Sequence, residues 1–429
     1  MELEKCNLKE VEELNEELVK ELLNGAPGES EASVILWNGK RVWGKGDKLK
    51  IKIKTPWSLK EAFRENSDLS LAESYIYGLI DIEGDIFLLF PIVDWIIDRV
   101  SSLKERLRLW RLIRKLPGKA KVKRCWTEVD GELHSIERDK KAIQYHYDVS
   151  NSFYKLFLDK NMVYSCAYFR SYGDSLDKAQ ENKIDYICRK LMLKEGEKLL
   201  DIGCGWGALI VHAAKKYRVN AVGITLSENQ YNYVRERIRK EGVVDRCKVL
   251  LADYREVDEW NSYDKIVSVG MFEHVGLKNA GLYFEQAFKL LKERGIFLNH
   301  AISCNYHEYG KPPSRFIRKY VFPDGELLPI YLTLKKAEEA GFEVRDVESL
   351  REHYTLTLIH WVRNLERNRE KAVEIAGEER YRIWRLYMSA SAYQFMTNRV
   401  GVYQSLFVKP DKSGFSGFPL TREHLYAGG

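Results

Sequence analysis

The stretch Leu199-Leu200-Asp201-Ile202-Gly203-Cys204-Gly205-Trp206-Gly207 joins an apolar strand to a turn in which every second residue is glycine. Residues 198–202 are predicted to form the strand. Residues 208–217 (ALIVHAAKKY) carry apolar side chains at helical spacing and are predicted to form a helix. Glycines allow the sharp turn and let a ligand approach backbone N–H groups that a Cβ would cover. The spacing is not the G-x-G-x-x-G of dinucleotide-binding folds, so no pyrophosphate site is predicted.

An acid stands two residues before the first glycine of this turn. Asp201 can hold a positively charged ammonium group, and Gly203, Cys204, Gly205 and Gly207 supply the close backbone. Together they predict a site for the zwitterionic amino-acid end of S-adenosylmethionine (SAM). The alternative interpretation is a tight turn between strand and helix that binds no ligand.

Further short apolar runs alternate with helical segments along the chain. The predicted strands are 220–224, 248–252, 265–269 and 295–298, and the predicted helices are 228–241 and 280–293. This alternation is typical of a parallel, doubly wound sheet, whose ligands lie beyond the carboxyl ends of the strands. The predicted fold class is therefore α/β, with a Rossmann-like nucleoside-binding domain.

Polar residues follow two of these strands and extend the predicted SAM site. Thr225 and Gln230 follow the second strand, where nucleoside binders hold the ribose. No carboxylate stands there, so we expect neutral hydrogen bonds to the ribose. After the third strand, Asp253 can accept a hydrogen bond from an adenine amino group, and Tyr254 and Arg255 offer planar side chains that can cover the ring.

Length and composition limit the number of domains, the cellular compartment and the kinds of site that are expected. A chain of 429 residues exceeds the size of one ordinary core, so at least two domains are expected. Residues 86–97 form the most apolar run and are too short and too interrupted to span a membrane. The acidic first residues do not resemble a signal peptide. Seven cysteines without a C-x-x-C pair indicate neither a disulfide framework nor a metal site, so we expect a cytoplasmic protein without structural metal.

Positive charge is concentrated in one segment. Residues 104–124 hold ten basic residues and one acid, in a chain whose net charge is +6. Apolar residues, among them Trp110, are interleaved with these cations. A basic amphipathic helix of this kind favours an anionic membrane surface. The alternative is a linker helix that packs its apolar face on its own protein. No nucleic-acid-binding module accompanies the charge, so nucleic acid is not an expected partner.

The chain is predicted to divide into three parts. Residues 1–99 form a smaller α+β domain with a hairpin of residues 33–37 and 40–43 around Asn38-Gly39. Residues 100–138 form the basic amphipathic linker. Residues 139–429 form the catalytic domain with the glycine turn.

Seven motifs together resemble one known family. They are QYHYDVS (144–150), MVYSCAYF (162–169), the turn 201–207, Thr225-Leu226-Ser227 with Gln230, VGMFEHVG (269–276), GLIDIEGD (78–85) and PLTREHLY (419–426). They resemble the cyclopropane-fatty-acyl-phospholipid synthases, which belong with the mycolic acid cyclopropane synthases among SAM-dependent methyltransferases. The resemblance covers nearly the whole chain, whereas the mycolic acid enzymes lack the amino-terminal domain.

The resemblance implies transfer of a methylene group from SAM to a cis double bond of an acyl chain in membrane phospholipid. The alkene attacks the sulfonium methyl group, and loss of a proton from the resulting cation closes the ring. Such a pocket needs aromatic faces and one base. The resemblance also implies a lipid-binding amino-terminal domain and a homodimer on the inner face of the cytoplasmic membrane. The alternatives are a methyltransferase with a methyl- or methylene-branched product and an inactive lipid-binding protein.

By the same resemblance, the base is a bound bicarbonate. Its implied ligands are the backbone N–H groups of Cys166 and Ile302 and the side chains of His300, Tyr354 and Glu273. Glu273 would accept the bicarbonate proton or carry a proton itself because its pKa is raised. The alternative for His300 is a core histidine at a strand end, which Glu273 at the end of the adjacent predicted strand disfavours, and the alternative for Tyr354 is a packed aromatic.

Three further residues follow from the resemblance. Tyr164 and Ser165 of the segment 162–169 join the SAM ligands. Ser391 stands where many relatives carry a cysteine that is sometimes labelled as an active-site residue. Because the mechanism uses no thiol, we expect that cysteine to be dispensable, and we do not expect Cys166 to be a nucleophile.

Overall fold

The structure is a computed structural model that describes residues 8–65, 68–118, 132, 134–138 and 150–426. The chain forms two compact units, and each is built from more than one stretch of sequence. Unit 1 comprises Met1–Thr127, Pro313–Val321 and Ala376–Tyr393, and unit 2 comprises Glu128–Pro312, Phe322–Ile375 and Gln394–Gly429. The predicted division at residues 99 and 138 stays a prediction.

Helices and strands alternate through most of the described chain. The helices are α1 (Leu8–Leu23), α2 (Ser58–Ala62), α3 (Asp68–Ile76), α4 (Leu89–Ser101), α5 (Leu103–Lys115), α6 (Asn151–Tyr154), α7 (Leu176–Lys190), α8 (Ala208–Lys216), α9 (Glu228–Lys240), α10 (Gly276–Leu290), α11 (Arg315–Tyr320), α12 (Ile330–Glu339), α13 (Arg351–Arg367), α14 (Arg369–Met396) and α15 (Glu423–Tyr426). The strands are β1 (Ala32–Ile35), β2 (Arg41–Trp43), β3 (Leu49–Ile53), β4 (Ile80–Gly84), β5 (Lys198–Ile202), β6 (Asn220–Thr225), β7 (Cys247–Leu251), β8 (Tyr263–Val269), β9 (Leu291–Cys304), β10 (Glu343–Ser349) and β11 (Val400–Val408).

Unit 1 contains a four-stranded sheet in the order β2-β1-β3-β4. The predicted hairpin is confirmed, since β1 and β2 are antiparallel and Val34 is opposite Trp43. β3 lies parallel to β1 and antiparallel to β4. Gly39, in the turn, has φ +86°, a conformation that favours glycine. The smaller α+β part predicted for the amino-terminal region is thereby confirmed.

The basic segment forms α5 over the part that the structure describes. Leu109 and Leu112 are buried on the inner side of this helix. On the outer side Leu103, Leu107 and Trp110 are 64%, 49% and 50% exposed. One apolar stripe thus packs on the protein and a second faces solvent among the cations. The rest of the segment, residues 119–124, lies outside the described residues. In the described ranges no helix is both long and apolar enough to cross a bilayer.

Unit 2 is built on a seven-stranded sheet in the order β10-β11-β9-β8-β5-β6-β7. The five predicted strands are present and mutually parallel, which confirms the α/β fold class. β10 and β11 were not predicted from the sequence, and they run antiparallel to their neighbours. β9 is longer than predicted at both ends. Residues 291–293, predicted as the end of a helix, already belong to the strand, where Leu291 pairs with Tyr263 of β8, and residues 299–304 continue it in pairing with β11.

Alternate residues of the central strands supply two separate cores. On β5, Leu199 packs in one apolar cluster with α7 and α8, whereas Leu200 packs in another with α10 and α12. Helices therefore cover both faces of the sheet, as the doubly wound arrangement requires. This packing fixes the carboxyl ends of β5, β6 and β8 at one edge, where the predicted site residues begin.

Candidate active site

A cavity of about 140 Å³ opens at the carboxyl ends of these strands. Most residues predicted to bind SAM line it. They are Tyr164, Ser165, Asp201, Gly203, Cys204, Gly205, Thr225, Gln230, Asp253, Tyr254 and Arg255. Gly207 does not line the cavity and instead precedes α8 in a left-handed conformation. The fold thus assembles in one place residues that are up to 91 positions apart in sequence.

The glycine turn leaves room for a ligand at its centre. A Cβ at Gly203 would lie 2.9 Å from the Met271 side chain, and a Cβ at Gly207 would lie 2.8 Å from that of Val234. A Cβ at Gly205 would meet nothing within 4 Å. The outer two glycines are therefore needed for packing, and the middle one borders the open cavity.

Asp201 supplies an acceptor in the wall of the cavity. Its side chain is buried, and no described residue donates a hydrogen bond to Oδ1. Loss of hydration raises the pKa of this carboxyl to about 7, although Lys183 opposes the rise. A buried carboxylate of this kind fits the ammonium end of SAM, which would restore its charge.

The predicted nucleoside ligands are held by hydrogen bonds among themselves. The Thr225 hydroxyl donates to Oε1 of Gln230 over 2.8 Å, which turns the amide nitrogen of Gln230 into the donor for a ribose. Arg255 donates to both oxygens of Asp253, each over 2.7 Å. Asp253 also caps the short turn that begins at Tyr254. The Asp253 carboxylate is therefore fixed in position, and some of its hydrogen-bond acceptor sites are already occupied.

Three of the five predicted bicarbonate ligands meet around β9. The backbone N–H of Ile302 donates to Oε1 of Glu273 over 2.8 Å. His300, two residues before Ile302, lies opposite Val269, the last residue of β8. Oε2 of Glu273 and Nε2 of His300 are buried and have no hydrogen-bond partner among the described residues. An acceptor and a donor are thus available, while the Ile302 donor is occupied by Glu273.

Burial sets the protonation of both side chains. Loss of hydration raises the pKa of Glu273 to about 7. It lowers the pKa of His300 well below the usual value, and the charges of Lys183 and Lys190 add to this effect. The amide nitrogen of Gln404 lies 3.2 Å from Nδ1 of His300 and donates to it. The neutral imidazole therefore carries its proton on Nε2, where it can be donated to an anion.

Cys166 and Tyr354 are linked through Leu350, the residue before α13. The Cys166 Sγ lies 3.7 Å from the carbonyl oxygen of Leu350, which also accepts the Tyr354 backbone N–H over 3.0 Å. The next residue, Ala167, donates its N–H to Thr357 Oγ1 over 3.0 Å. Segment 162–169 is thereby fixed to α13. Ser391 lies on α14 within the part of the chain that belongs to unit 1, and its predicted role stays a prediction.

A continuous row of aromatic rings leads away from the cavity wall. The row, called the aromatic row below, has centroid separations of 4.9 Å for Trp206–Tyr154, 5.6 Å for Tyr154–Tyr164, 5.1 Å for Tyr164–Trp361, 6.1 Å for Trp361–Tyr354 and 4.7 Å for Tyr354–Phe395. Trp206 and Tyr164 line the cavity itself. Aromatic faces attract positive charge, and their ring surfaces accommodate hydrocarbon.

Comparison with known proteins agrees with this geometry. A family model described as mycolic acid cyclopropane synthetase matches residues 134–405. The chain belongs to this family. Residues 18–103 match a second model, described as a domain of unknown function.

Known proteins are similar to this chain over different lengths. A probable fatty acid methyltransferase of Pseudomonas putida is 39% identical over 91% of this chain and 95% of its own. The cyclopropane-fatty-acyl-phospholipid synthase of Escherichia coli K12 is 33% identical over 85% and 89%. The mycolic acid cyclopropane synthase CmaA1 complexed with SAH and CTAB is 38% identical, with TM-score 0.59, over 62% of this chain and 97% of its own. The predicted enzyme class, a SAM-dependent methyltransferase, is confirmed.

Two buried polar residues of this site were not predicted from the sequence. Lys183 is buried in the cavity wall, and Gln404 is buried beside His300. Lys183 carried a signal, since it shares the core-facing stripe of α7 with Leu176, Gln180 and Ile187 at helical spacing. The sequence offered no such pattern for Gln404, because the strand that contains it, β11, was not predicted.

Proposed function

We propose that this protein transfers a one-carbon unit from SAM to a cis double bond of an acyl chain in membrane phospholipid and closes a cyclopropane ring. Similarity to the Escherichia coli enzyme over 85% of this chain supports the phospholipid substrate, since a match of that length must extend into unit 1. Similarity to the cyclopropane mycolic acid synthase 1 of Mycobacterium tuberculosis extends over only 61% of the chain.

The observation that carries the proposal is the aromatic row beside the Asp201 cavity. When bound, SAM supplies an electrophilic methyl group on a positively charged sulfur. Asp201, the glycine turn and Gln230 would hold SAM, and the aromatic row would line the binding site of the acyl chain. An alkene that accepts a methyl group becomes cationic, and the faces of Tyr164, Trp361 and Tyr354 would stabilise that charge.

Removal of a proton from the added carbon is assigned to the group around Glu273. A bound bicarbonate would supply the base, held by the Nε2–H of His300 and by Oε2 of Glu273. Both atoms are buried and have no hydrogen-bond partner among the described residues. One accepts and the other donates, which fits a small anion that carries its own proton. Ile302 would act as a positioning residue because its N–H orients the Glu273 carboxylate. Cys166 and Tyr354 would complete the site from segment 162–169 and α13.

The exposed side of α5 is proposed to bind the anionic surface of the membrane that carries the substrate. Trp110 and Leu107 would enter the interface, and Lys104, Arg106 and Arg111 would face lipid phosphates. Each cation near such a surface contributes about 1 kcal/mol. On this proposal the protein is peripheral, at the inner face of the cytoplasmic membrane, and unit 1 supplies the lipid contact. The homodimer stays a prediction, and two such surfaces would bind more tightly than one.

A second candidate product is a methyl- or methylene-branched chain on the same lipids. The similarity to a probable fatty acid methyltransferase favours it. Both reactions begin with the same transfer and differ in where the proton is lost. The sites described above are common to both.

One experiment tests the proposal and separates the products. Purified protein is incubated with vesicles of cis-unsaturated phospholipid and SAM, with bicarbonate present or removed by degassing. NMR spectra of the extracted lipid distinguish ring methylene protons from olefinic ones. A ring product that depends on bicarbonate is expected. A branched product would favour the second candidate, and turnover that is independent of bicarbonate would contradict the assigned base.

A further inference from the structure

A buried lysine lies in the wall of the SAM cavity. The side chain of Lys183 comes from α7 and is 3% exposed. Its Nζ donates to the hydroxyl oxygen of Ser165 over 2.9 Å, and Ser165 lines the same cavity. The Ser165 hydroxyl accepts this hydrogen bond and keeps its own proton for donation. Two donors therefore stand side by side at the cavity wall.

The charge of Lys183 has no counter-ion among the described residues. No described carboxylate lies within ion-pair distance of Nζ, although Asp159 and Asp201 are near enough to act on it electrostatically. Asp159 already accepts the backbone N–H groups of Asn161 and Val163, over 2.9 and 2.7 Å. Asp201 retains a buried oxygen without a partner. An uncompensated buried charge is costly, so a ligand that supplies the missing charge gains that free energy on binding.

We propose that Lys183 and the Ser165 hydroxyl hold the carboxylate of SAM, while Asp201 holds its ammonium group. The amino-acid end of SAM carries one charge of each sign, and the cavity wall offers one complementary group for each. This inference rests on the proposed function only in taking SAM as the ligand. It assigns Lys183 as a binding residue for the amino-acid end and gives it no part in the transfer.

The protonation of both side chains agrees with this assignment. Burial lowers the pKa of Lys183 to about 8, so its ammonium form still predominates at pH 7. Burial raises the pKa of Asp201 to about 7. A zwitterion between them would return both groups toward their charged forms. A purely structural lysine that supports segment 162–169 through Ser165 would instead affect every ligand of the cavity alike.

Ligands that differ only at the amino-acid end distinguish a lysine that binds the carboxylate from one that only supports segment 162–169. Calorimetry measures the affinity of the whole protein for S-adenosylhomocysteine, for its decarboxylated analogue and for 5′-methylthioadenosine. Lys183→Met is expected to weaken binding of S-adenosylhomocysteine roughly 10- to 100-fold, the effect of one charge-assisted hydrogen bond. Binding of the other two ligands should change less than about threefold. Lys178→Met, on the exposed side of α7, should change none of the affinities.

The wild-type protein provides a test that does not depend on a variant. It should bind the decarboxylated analogue roughly 10- to 100-fold more weakly than S-adenosylhomocysteine. Equal affinities, or an equal loss for all three ligands in Lys183→Met, would overturn the assignment and leave the proposed function intact. A wild-type protein that binds none of the three ligands would overturn both.

Discussion

Glu273 accepts the backbone N–H of Ile302 over 2.8 Å with one carboxyl oxygen, and its other oxygen is buried without a partner in the described structure. Glu273 follows β8, whereas Ile302 lies within the neighbouring strand β9, so the sheet itself fixes the carboxyl group. β9 thus positions both groups, since it contains His300 and since its Ile302 N–H holds the Glu273 carboxyl group. This pairing determines what substitutions at Glu273 should do.

Glu273→Gln should abolish turnover and leave donor binding intact. Glutamine can still accept the Ile302 N–H, but it replaces the second acceptor with an NH₂ donor that cannot accept a proton. We expect a loss of at least about 100-fold in kcat, in the range of acid–base groups, with an unchanged Kd for S-adenosylhomocysteine. Glu285→Gln, exposed on α10, is the matched control and should retain full turnover. Loss of donor affinity in Glu273→Gln would mean that Glu273 belongs to the donor site.

Turnover should rise with pH through the neutral range. Burial raises the pKa of Glu273 to about 7, so its ionised fraction increases from roughly one tenth at pH 6 to nine tenths at pH 8. If the carboxylate is the form that accepts a proton, kcat at saturating SAM follows this fraction. The measurement requires a constant concentration of bicarbonate ion at each pH. A rate that falls over the same range would identify protonated Glu273 as the working form.

The parallel part of the sheet was predictable because its strands are short apolar runs that end in polar residues. β5 and β6 show this pattern and lie at the predicted positions. β10 was missed because it lies at the edge of the sheet, and its residues, such as Glu343 and Arg345, are largely polar. β11 follows a long helix and runs antiparallel to β9. It therefore lacks the strand–helix–strand spacing by which the parallel strands were predicted.

The donor site was more predictable than the catalytic group. Asp201 and Thr225 lie at the carboxyl ends of β5 and β6, and Gln230 lies in the first turns of the helix that follows β6, so their positions could be predicted from the local pattern of strands and helices. Contacts such as that of Gln404 with His300 join residues 104 positions apart, through a strand that was not foreseen. Lys183 was missed because a lysine in a helix is ordinarily placed on the solvent side.

Gly207→Ala should destabilise the protein more than Gly196→Ala. Both glycines are left-handed, with φ +79° and +85°, so each substitution costs about 1–2 kcal/mol of backbone strain. Only at Gly207 would the new Cβ also clash, 2.8 Å from the side chain of Val234, which adds roughly 1–3 kcal/mol. Denaturant unfolding of both variants measures the difference. Equal losses would mean that α9, which carries Val234, shifts to accommodate the methyl group.

Cys166→Ala should retain turnover within about threefold. Its thiol is fully buried, and burial raises the thiol pKa far above neutrality, so little thiolate exists at pH 7. The proposed contribution of Cys166 is its backbone N–H, which alanine preserves. The kcat with vesicle substrate tests this expectation, and modification of the wild-type protein with iodoacetamide should leave Cys166 unmodified. A large loss in Cys166→Ala, with an unchanged unfolding curve, would require a chemical role for the sulfur.

Removal of three exposed cations from α5 should weaken vesicle binding without affecting the donor site. Arg108 is excluded because it already pairs with Glu21 over 2.9 Å. The triple variant Lys104→Gln, Arg106→Gln and Arg111→Gln should bind anionic vesicles about 100-fold more weakly in co-sedimentation, at about 1 kcal/mol for each charge.

The matched control for this variant removes the same charge from α9. Arg235, Arg239 and Lys240 are exposed there, and their replacement by glutamine should leave vesicle binding nearly unchanged. Added salt should weaken binding of the wild type more than that of the α5 variant, because screening acts on the charges that the variant has lost. Trp110→Ala should weaken binding at every salt concentration, since its contribution is apolar. Equal losses in the α5 and α9 variants would show that only net charge matters and would contradict a specific membrane-binding face on α5.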